Sequence, residues 1–200
     1  MRMMQPTLDT LLRPWLRMPA WAAVMSCLAA AERAFPVLDR LASLRTKGYC
    51  RESLDEAWAA LTGTPLRAEE VSVRIRGIQG LPESSEDDSH KNTYYAMRGI
   101  GIVWHAVGAQ LPDAAHQEWR SILSGMLSLA ADLDFVTRPM ARNKFSLKES
   151  EVAFQTQILR LVEGESGPSA QLVGSLRAMG TQMSAEYRAA LEEMCRLKGW

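Results

Sequence analysis

The stretch VSVRIRGI, residues 71–78, decides between an all-helical chain and a mixed one. Its apolar residues alternate strictly with polar ones, as they do in a β-strand with one buried face. No second stretch of similar alternation exists in the 200 residues, and a single strand has nothing with which to pair. We therefore predict a helix here, with Ala68, Glu69 and Glu70 as a first turn in which carboxylates meet the positive end of the helix dipole.

On both sides of this stretch, apolar residues recur at the three- and four-residue spacing of amphipathic helices. Ser53 with Glu56 and Ser146 with Glu149 have the form of capping boxes, so each pair predicts a helix start. Gly48 is predicted to end the helix that precedes Ser53.

Two further segments complete the helical pattern. Residues 93–110 place Met97, Gly101, Trp104 and Gly108 near one face, where glycine lets another helix approach closely. Three helices are predicted in the last third. The first begins at Ser146, the second begins at Pro168, and the third contains Tyr187. Because no linker, low-complexity tract or repeat divides the chain, we predict one all-α domain of seven or eight helices over residues 1–200.

The charge distribution makes nucleic acid a poor partner. The chain has 23 Lys/Arg and 23 Asp/Glu, whereas a protein that neutralises many phosphates carries a basic excess. Residues 1–51 hold eight basic against three acidic side chains, and residues 52–89 hold three against nine. This uneven order is either a field that a charged partner senses or a difference between solvated helix faces.

The three cysteines, Cys27, Cys50 and Cys195, are odd in number and lack CxxC spacing. They predict neither a disulfide framework nor a structural zinc site, and they fit a reducing cytoplasm. Cys27 and Cys195 lie on or beside apolar stripes, so we predict buried and unreactive thiols.

The stretch MPAWAAVMSCLAAAERAF, residues 18–35, follows three arginines and has the charged-then-apolar order of a secretion signal. Against that interpretation, Asp9 lies in the leading region and Glu32 interrupts the apolar run after about a dozen residues. A membrane span needs about 20 such residues. We therefore predict a cytoplasmic protein without membrane association.

No pattern marks a catalytic or metal site. Glu86 with His90 and Asp113 with His116 have helical spacing for one edge of a metal site, but no second helix supplies matching ligands. His105 lies in an apolar stripe and is predicted to be a hydrogen-bonded core residue. The local signature GxSxG of a nucleophile is absent. We assign no catalytic residue, metal or cofactor and predict that the protein is not an enzyme.

The stretch GLPESSEDDSHKNTYYAM, residues 80–97, contains the candidate partner-binding carboxylates Glu83, Glu86, Asp87 and Asp88. Asp87 and Asp88 lie just before a predicted helix, whose free N–H groups they are placed to cap. The alternatives are an electronegative docking loop and a metal site. Trp15, between two arginines and outside any apolar stripe, is a further candidate, because exposed Trp and Arg dominate interface energies.

Four segments resemble, in order and spacing, the bacterial domain of unknown function 416 family. They are WAAVMSCLAAAERAFPVLDRL, SLDEAWAAL, GLPESSEDDSHKNTYYAMRGIGIVW and EVAFQTQILRLVEG with LVGSLRAMG, within about residues 15–180. The resemblance implies an all-helical, cytoplasmic bacterial protein with no established catalytic residues. It also implies that Asp87 and Asp88 cap while Glu83 and Glu86 form surface. The chain departs from the family at Val37-Leu38 and in a more basic loop from Arg138 to Lys144.

These observations together favour a non-enzymatic protein–protein interaction module. Its most concrete form is an immunity protein that binds and occludes a cognate toxin encoded by a neighbouring gene. The first alternative is a regulatory or scaffold protein with an unknown partner. A further alternative is an enzyme or a metal-dependent binder.

Overall fold

The computed structural model describes residues 13–137 and 146–200, so the predicted basic loop from Arg138 to Lys144 lies outside the described residues. Eight α-helices from Ala20 onward, a helical stretch at residues 13–15 and no strands are found in these two ranges. The helices are α1 (Ala20–Ala34), α2 (Pro36–Leu41), α3 (Leu44–Thr62), α4 (Ala68–Gln79), α5 (Asn92–Gly108), α6 (Ala115–Thr137), α7 (Leu147–Val162) and α8 (Ala170–Lys198). The all-α prediction is confirmed.

The stretch 71–78 lies within α4, as predicted. The helix begins at Ala68, and the Glu70 carboxylate accepts a hydrogen bond from the Arg67 backbone N–H at 2.8 Å. Only Val71 and Ile78 of this helix are fully buried, and their spacing of seven residues places them on one face of the helix. The alternation of the sequence therefore has no counterpart in the structure, because most of its members face solvent or a partly covered surface.

Helix α1 is the centre of the fold. Every residue from Ala22 to Ala34 is buried, and the helix packs against α5, α6 and α8. The segment Ala20–Leu41 is long and apolar enough to cross a membrane, yet 94% of its apolar window is buried inside the protein. Small alanine side chains on α1 let its neighbours approach closely, which explains why a helix apolar on nearly all sides occupies this position.

The helix boundary predicted at Gly48 and Ser53 is wrong. Helix α3 runs through both residues and begins at Leu44, after the N-cap Ser43, whose hydroxyl accepts a hydrogen bond from the Thr46 N–H. The Ser53 hydroxyl instead donates to the Tyr49 carbonyl, one turn earlier. Gly48 ends nothing here, because a glycine inside a helix costs only about 1 kcal/mol, which tertiary packing outweighs. The helix start predicted at Ser146 is confirmed, since the Ser146 hydroxyl accepts from the Glu149 N–H at 3.0 Å.

The last third contains two helices where three were predicted. Helix α8 is continuous over 29 residues, and no proline interrupts it. Gly180 lies at the contact with α1, where an added Cβ would be 2.7 Å from the Ala29 carbonyl oxygen. The close approach predicted for Gly101 belongs instead to Gly99, whose Cβ would meet Leu38, while the space around Gly101 is open.

Candidate functional site

Glu83 is the first of the predicted docking residues, and the structure places it inside. Its side chain is 8% exposed, and it accepts hydrogen bonds from the Ser43 N–H at 2.7 Å and from the Thr46 hydroxyl. Burial alone would raise the pKa of this carboxyl, but these hydrogen bonds outweigh it and lower the pKa. Glu83 therefore fixes the start of α3, and the expectation that it forms surface is corrected.

The remaining carboxylates lie in a loop before α5, residues 82–91, which we call the acidic loop. Glu86 accepts from the Asp88 N–H at 3.1 Å and from the Thr93 hydroxyl at 3.0 Å, and these bonds lower its pKa. Asp88 accepts from the His90 N–H at 3.0 Å. Lys91, the residue before α5, provides no side-chain cap. The predicted capping of this helix by aspartates is therefore wrong, because the hydrogen-bonded carboxylates fold the loop itself.

Asp87 is the exposed carboxylate of the acidic loop. Within the described residues it has neither a hydrogen-bond partner nor an ion-pair partner. Lys91 partly neutralises its neighbours, since its ammonium lies 3.3 Å from Glu86 and 3.8 Å from Asp88. Asp87 is thus an exposed carboxylate without a polar partner among the described residues, on a backbone that hydrogen bonds hold in place.

Trp15 is not exposed, contrary to expectation. It is 2% exposed and packs on Trp119 of α6, with the ring centroids 4.7 Å apart. The exposed arginines at 13 and 17 misled the interpretation, because charged neighbours do not prevent an aromatic side chain from packing on the core. Trp15 and Glu83 therefore lie away from any surface shared with Asp87.

A charge cluster around the buried Glu32, at the end of α1, was not predicted from the sequence. Glu32 is 4% exposed and accepts four hydrogen bonds or ion-pair contacts from three side chains. Arg51 donates twice at 2.6 and 2.7 Å, Trp58 Nε1 donates at 3.0 Å, and Arg177 Nε lies 3.2 Å away. Both arginines also contact Asp55, so the cluster joins α1, α3 and α8.

This cluster forms the base of an open cleft with a volume of about 310 Å³, which we call the arginine cleft. The cleft is lined by Glu32, Phe35, Pro36, Asp39, Arg51, Asp55, Arg177, Thr181, Ser184 and Arg188. At its rim, Asp39 of α2 and Arg188 of α8 are partly exposed, and their nearest charged atoms are 3.9 Å apart. The available sequence signal was the pair of charges at 32 and 33 within an alanine-rich run, but no spacing pointed to the arginines of α8.

Arg33, the next residue, lies fully buried on another side of α1. Its Nε donates to Glu151 at 2.8 Å, Nη1 donates to the Met183 carbonyl at 3.0 Å, and the guanidinium covers the Phe154 and Tyr187 rings. Burial alone would lower the pKa of this arginine, but the neighbouring carboxylates raise it. A charged group is thus kept in the core by a full set of partners.

His105 and His116, the remaining candidate groups, make structural contacts. His105 hydrogen-bonds Glu118 between α5 and α6, and His116 Nε2 lies 2.9 Å from the Met18 carbonyl oxygen. No group of three or more potential metal ligands occurs in residues 13–137 and 146–200.

All three cysteine thiols are free and buried. Burial, together with the nearby Glu83, raises the pKa of Cys50 to about 12, and burial with Glu118 raises that of Cys27. Thiols with such pKa values stay protonated at neutral pH, the form that is a poor nucleophile.

Comparison with known proteins identifies a fold relative. No family model matches the sequence, and no curated protein matches it. The fold is similar to the crystal structure of a domain of unknown function 416 family protein from Shewanella baltica, with a TM-score of 0.66 and 14% sequence identity. The match covers 90% of this chain and 95% of that chain. The resemblance to this family is therefore confirmed at the level of the fold.

Proposed function

We propose that this protein is a non-enzymatic, cytoplasmic interaction module that uses the acidic loop to bind a basic surface of a partner protein. The observation that carries the proposal is Asp87, an exposed carboxylate without a partner in the described part of the chain, on a loop ordered by Glu86 and Asp88. A loop that is already ordered loses little conformational entropy when it binds. An unpaired charge at its tip favours encounter with a basic partner.

In its most specific form, the protein is an immunity protein. It would bind a toxin encoded by the neighbouring gene and cover the toxin's active cleft, with the acidic loop in contact with basic residues there. The protonated state of Cys27 and Cys50 supports a role without nucleophilic catalysis by either thiol. The broader form is a regulatory or scaffold protein with a different basic partner.

The test is co-expression of this protein with the product of its neighbouring gene. Growth of cells that make the neighbour alone is measured first, followed by growth and co-purification when both are made. Toxicity that disappears as a stable complex forms supports the immunity function. A neighbour that is harmless or does not bind contradicts it and leaves the broader form to be tested with other partners.

The contribution of the loop is measured on the complex itself. We expect Asp87→Lys to slow association by about two- to fivefold at low salt, with a smaller effect at high salt, because an exposed charge contributes up to about 1 kcal/mol and is screened. Glu163→Lys is the matched control, since Glu163 is also exposed and lies at the end of α7. Equal effects of the two variants would contradict docking through the acidic loop.

A further inference from the structure

The arginine cleft is independent of the acidic loop, and its charges point to a different kind of ligand. Three carboxylates and three guanidinium groups line it, so its formal charge is zero. A phosphate or a metal ion would be attracted by one set and repelled by the other. A ligand that carries a positive and a negative group close together gains from both sets.

Four of these six charged groups are already paired with one another. Glu32 is saturated by Arg51, Arg177 and Trp58, and the two arginines also contact Asp55. Arg51 is further fixed over the Phe35 ring, 4.7 Å from its centroid. These groups form the rigid base of the cleft.

Asp39 and Arg188 make fewer polar contacts than the groups at the base, although Asp55 and Arg177 are similarly exposed. The side chains of Asp39 and Arg188 are 43% and 55% exposed, and their separation of 3.9 Å is too long for a hydrogen bond. Neither side chain makes a hydrogen bond to any other residue in the described ranges. One carboxylate and one guanidinium, held only by this loose ion pair with each other, therefore face each other across the opening, on α2 and α8.

The size of the cleft limits the ligand. Its volume of about 310 Å³ is at the lower end of the range of roughly 300–1,000 Å³ that small-molecule pockets span. Phe35 and Pro36 add apolar atoms to a lining that is otherwise charged or hydroxylic. The cleft therefore fits a small dipolar molecule with some apolar surface.

We propose that the arginine cleft binds a free α-amino acid. Its carboxylate accepts hydrogen bonds from the Arg188 guanidinium, its ammonium donates to Asp39, and its side chain contacts Phe35 and Pro36. An α-amino acid carries both charges on one carbon atom, which matches two opposite charges set side by side at the rim. A peptide terminus presents only one of these charges and gains from only one partner.

The experiment measures the thermal unfolding midpoint of the purified protein with each of the twenty L-α-amino acids, and then Kd by calorimetry for the amino acid that raises it most. That amino acid is compared with its decarboxylated amine and its deaminated acid, each of which keeps one charge. We expect the amino acid to bind and both analogues to bind at least about tenfold more weakly, because each lacks one charged hydrogen-bonding group.

Variants assign the site. Asp39→Asn and Arg188→Gln are each expected to raise Kd at least about tenfold, whereas Arg196→Gln, an exposed arginine elsewhere on α8, leaves it unchanged. Circular dichroism checks that the variants fold. The proposal is overturned if none of the twenty amino acids shifts the midpoint, if inorganic phosphate shifts it more than any of them, or if both rim variants bind as tightly as the parent chain.

Discussion

Arg33 illustrates how single residues determine this fold. Removing a charge from water is costly, and the arginine is retained because Glu151, Glu186, Ser150 and the Met183 carbonyl accept hydrogen bonds from its Nε, Nη1 and Nη2 atoms. Two aromatic rings cover the guanidinium face. Arg33 therefore links α1 to α7 and α8 through hydrogen bonds inside the core.

We expect Arg33→Met to lower the free energy of unfolding by about 3–5 kcal/mol, because the change leaves Glu151 charged and buried without its main partner. Replacing both residues by methionine is expected to recover at least half of that loss. Urea denaturation measures all three chains. Arg196→Met, which breaks an exposed pair with Glu193, serves as control and should cost less than about 1 kcal/mol. A double variant as unstable as the single one would contradict the argument.

A second residue-scale prediction concerns Glu83. Its pKa is lowered in the folded protein, so its contribution to stability is present above the unfolded pKa of about 4.3 and is lost as the pH falls through the folded value. Glu83→Gln should therefore cost about 1–3 kcal/mol at pH 7, and the difference from the parent should shrink below about pH 4.

Denaturation curves between pH 3 and pH 7 provide the measurement for Glu83. Asp87→Asn in the same loop is the control and should change stability little at any pH, because Asp87 is exposed and makes no hydrogen bond within the described residues. A constant cost of Glu83→Gln over the whole pH range would show that the charge of this carboxyl contributes nothing.

Neither residue's role could be predicted from the sequence. Arg33 and Glu151 are 118 positions apart, and Glu83 is 40 positions from the N–H group that it binds. Local spacing contains no information on such pairs, since the contacts exist only after the helices pack. Ser146 is the opposite case, because a cap and its partner three residues later belong to one turn of chain.

At the scale of elements, helical periodicity predicted most of the segments correctly, but the glycine signal at Gly48 predicted a helix end that the structure does not have. Gly48 and Gly180 both lie inside continuous helices. A glycine ends a helix when it adopts a left-handed conformation, as Gly199 does after α8 with a φ of 72°. In the middle of α8, Gly180 instead allows the close approach of α1. Only the packed structure distinguishes a glycine that ends a helix from one at a helix contact.

We expect Gly180→Ala to destabilise the protein by about 1–3 kcal/mol, because the new Cβ would press on the Ala29 carbonyl oxygen, a backbone atom that cannot move alone. Gly174→Ala on the same helix is the matched control. Nothing lies within 4 Å of its added Cβ, so we expect a gain of about 0.5–1 kcal/mol from helix propensity. Thermal denaturation compares the two, and equal effects would contradict the close contact of α1 and α8.

At the scale of the whole molecule, part of the uneven charge of the sequence is paired or buried inside the fold, while Arg13, Arg17, Arg40 and Arg45 remain exposed. Arg33 and Arg51 from the basic first quarter are paired with Glu151 and Glu32, and Glu83 from the acidic second quarter is buried. A surface field could therefore not be inferred from charge counts along the chain. The fold class was predictable because it depends on periodicity, which every helix repeats, whereas the arginine cleft depends on which helices become neighbours.

The central position of α1 leads to a prediction about membranes. The segment Ala20–Leu41 is apolar enough to span a bilayer, but it carries Glu32 and Arg33, whose partners lie on α3, α7 and α8. Insertion would remove these partners and leave two charges in a medium without water. It would also disrupt the core, because 94% of the apolar window is buried there.

We therefore expect the full chain, expressed in bacteria, to stay in the supernatant after ultracentrifugation, and any sedimented fraction to be released by alkaline carbonate. A fusion that carries residues 20–41 alone is the control for apolarity without the fold, because it lacks the helices that bury this segment. Its retention in the pellet, together with release of the full chain, would show that packing overrides apolarity here. Carbonate-resistant membrane association of the full chain would contradict both the central position of α1 in cells and the proposed cytoplasmic role.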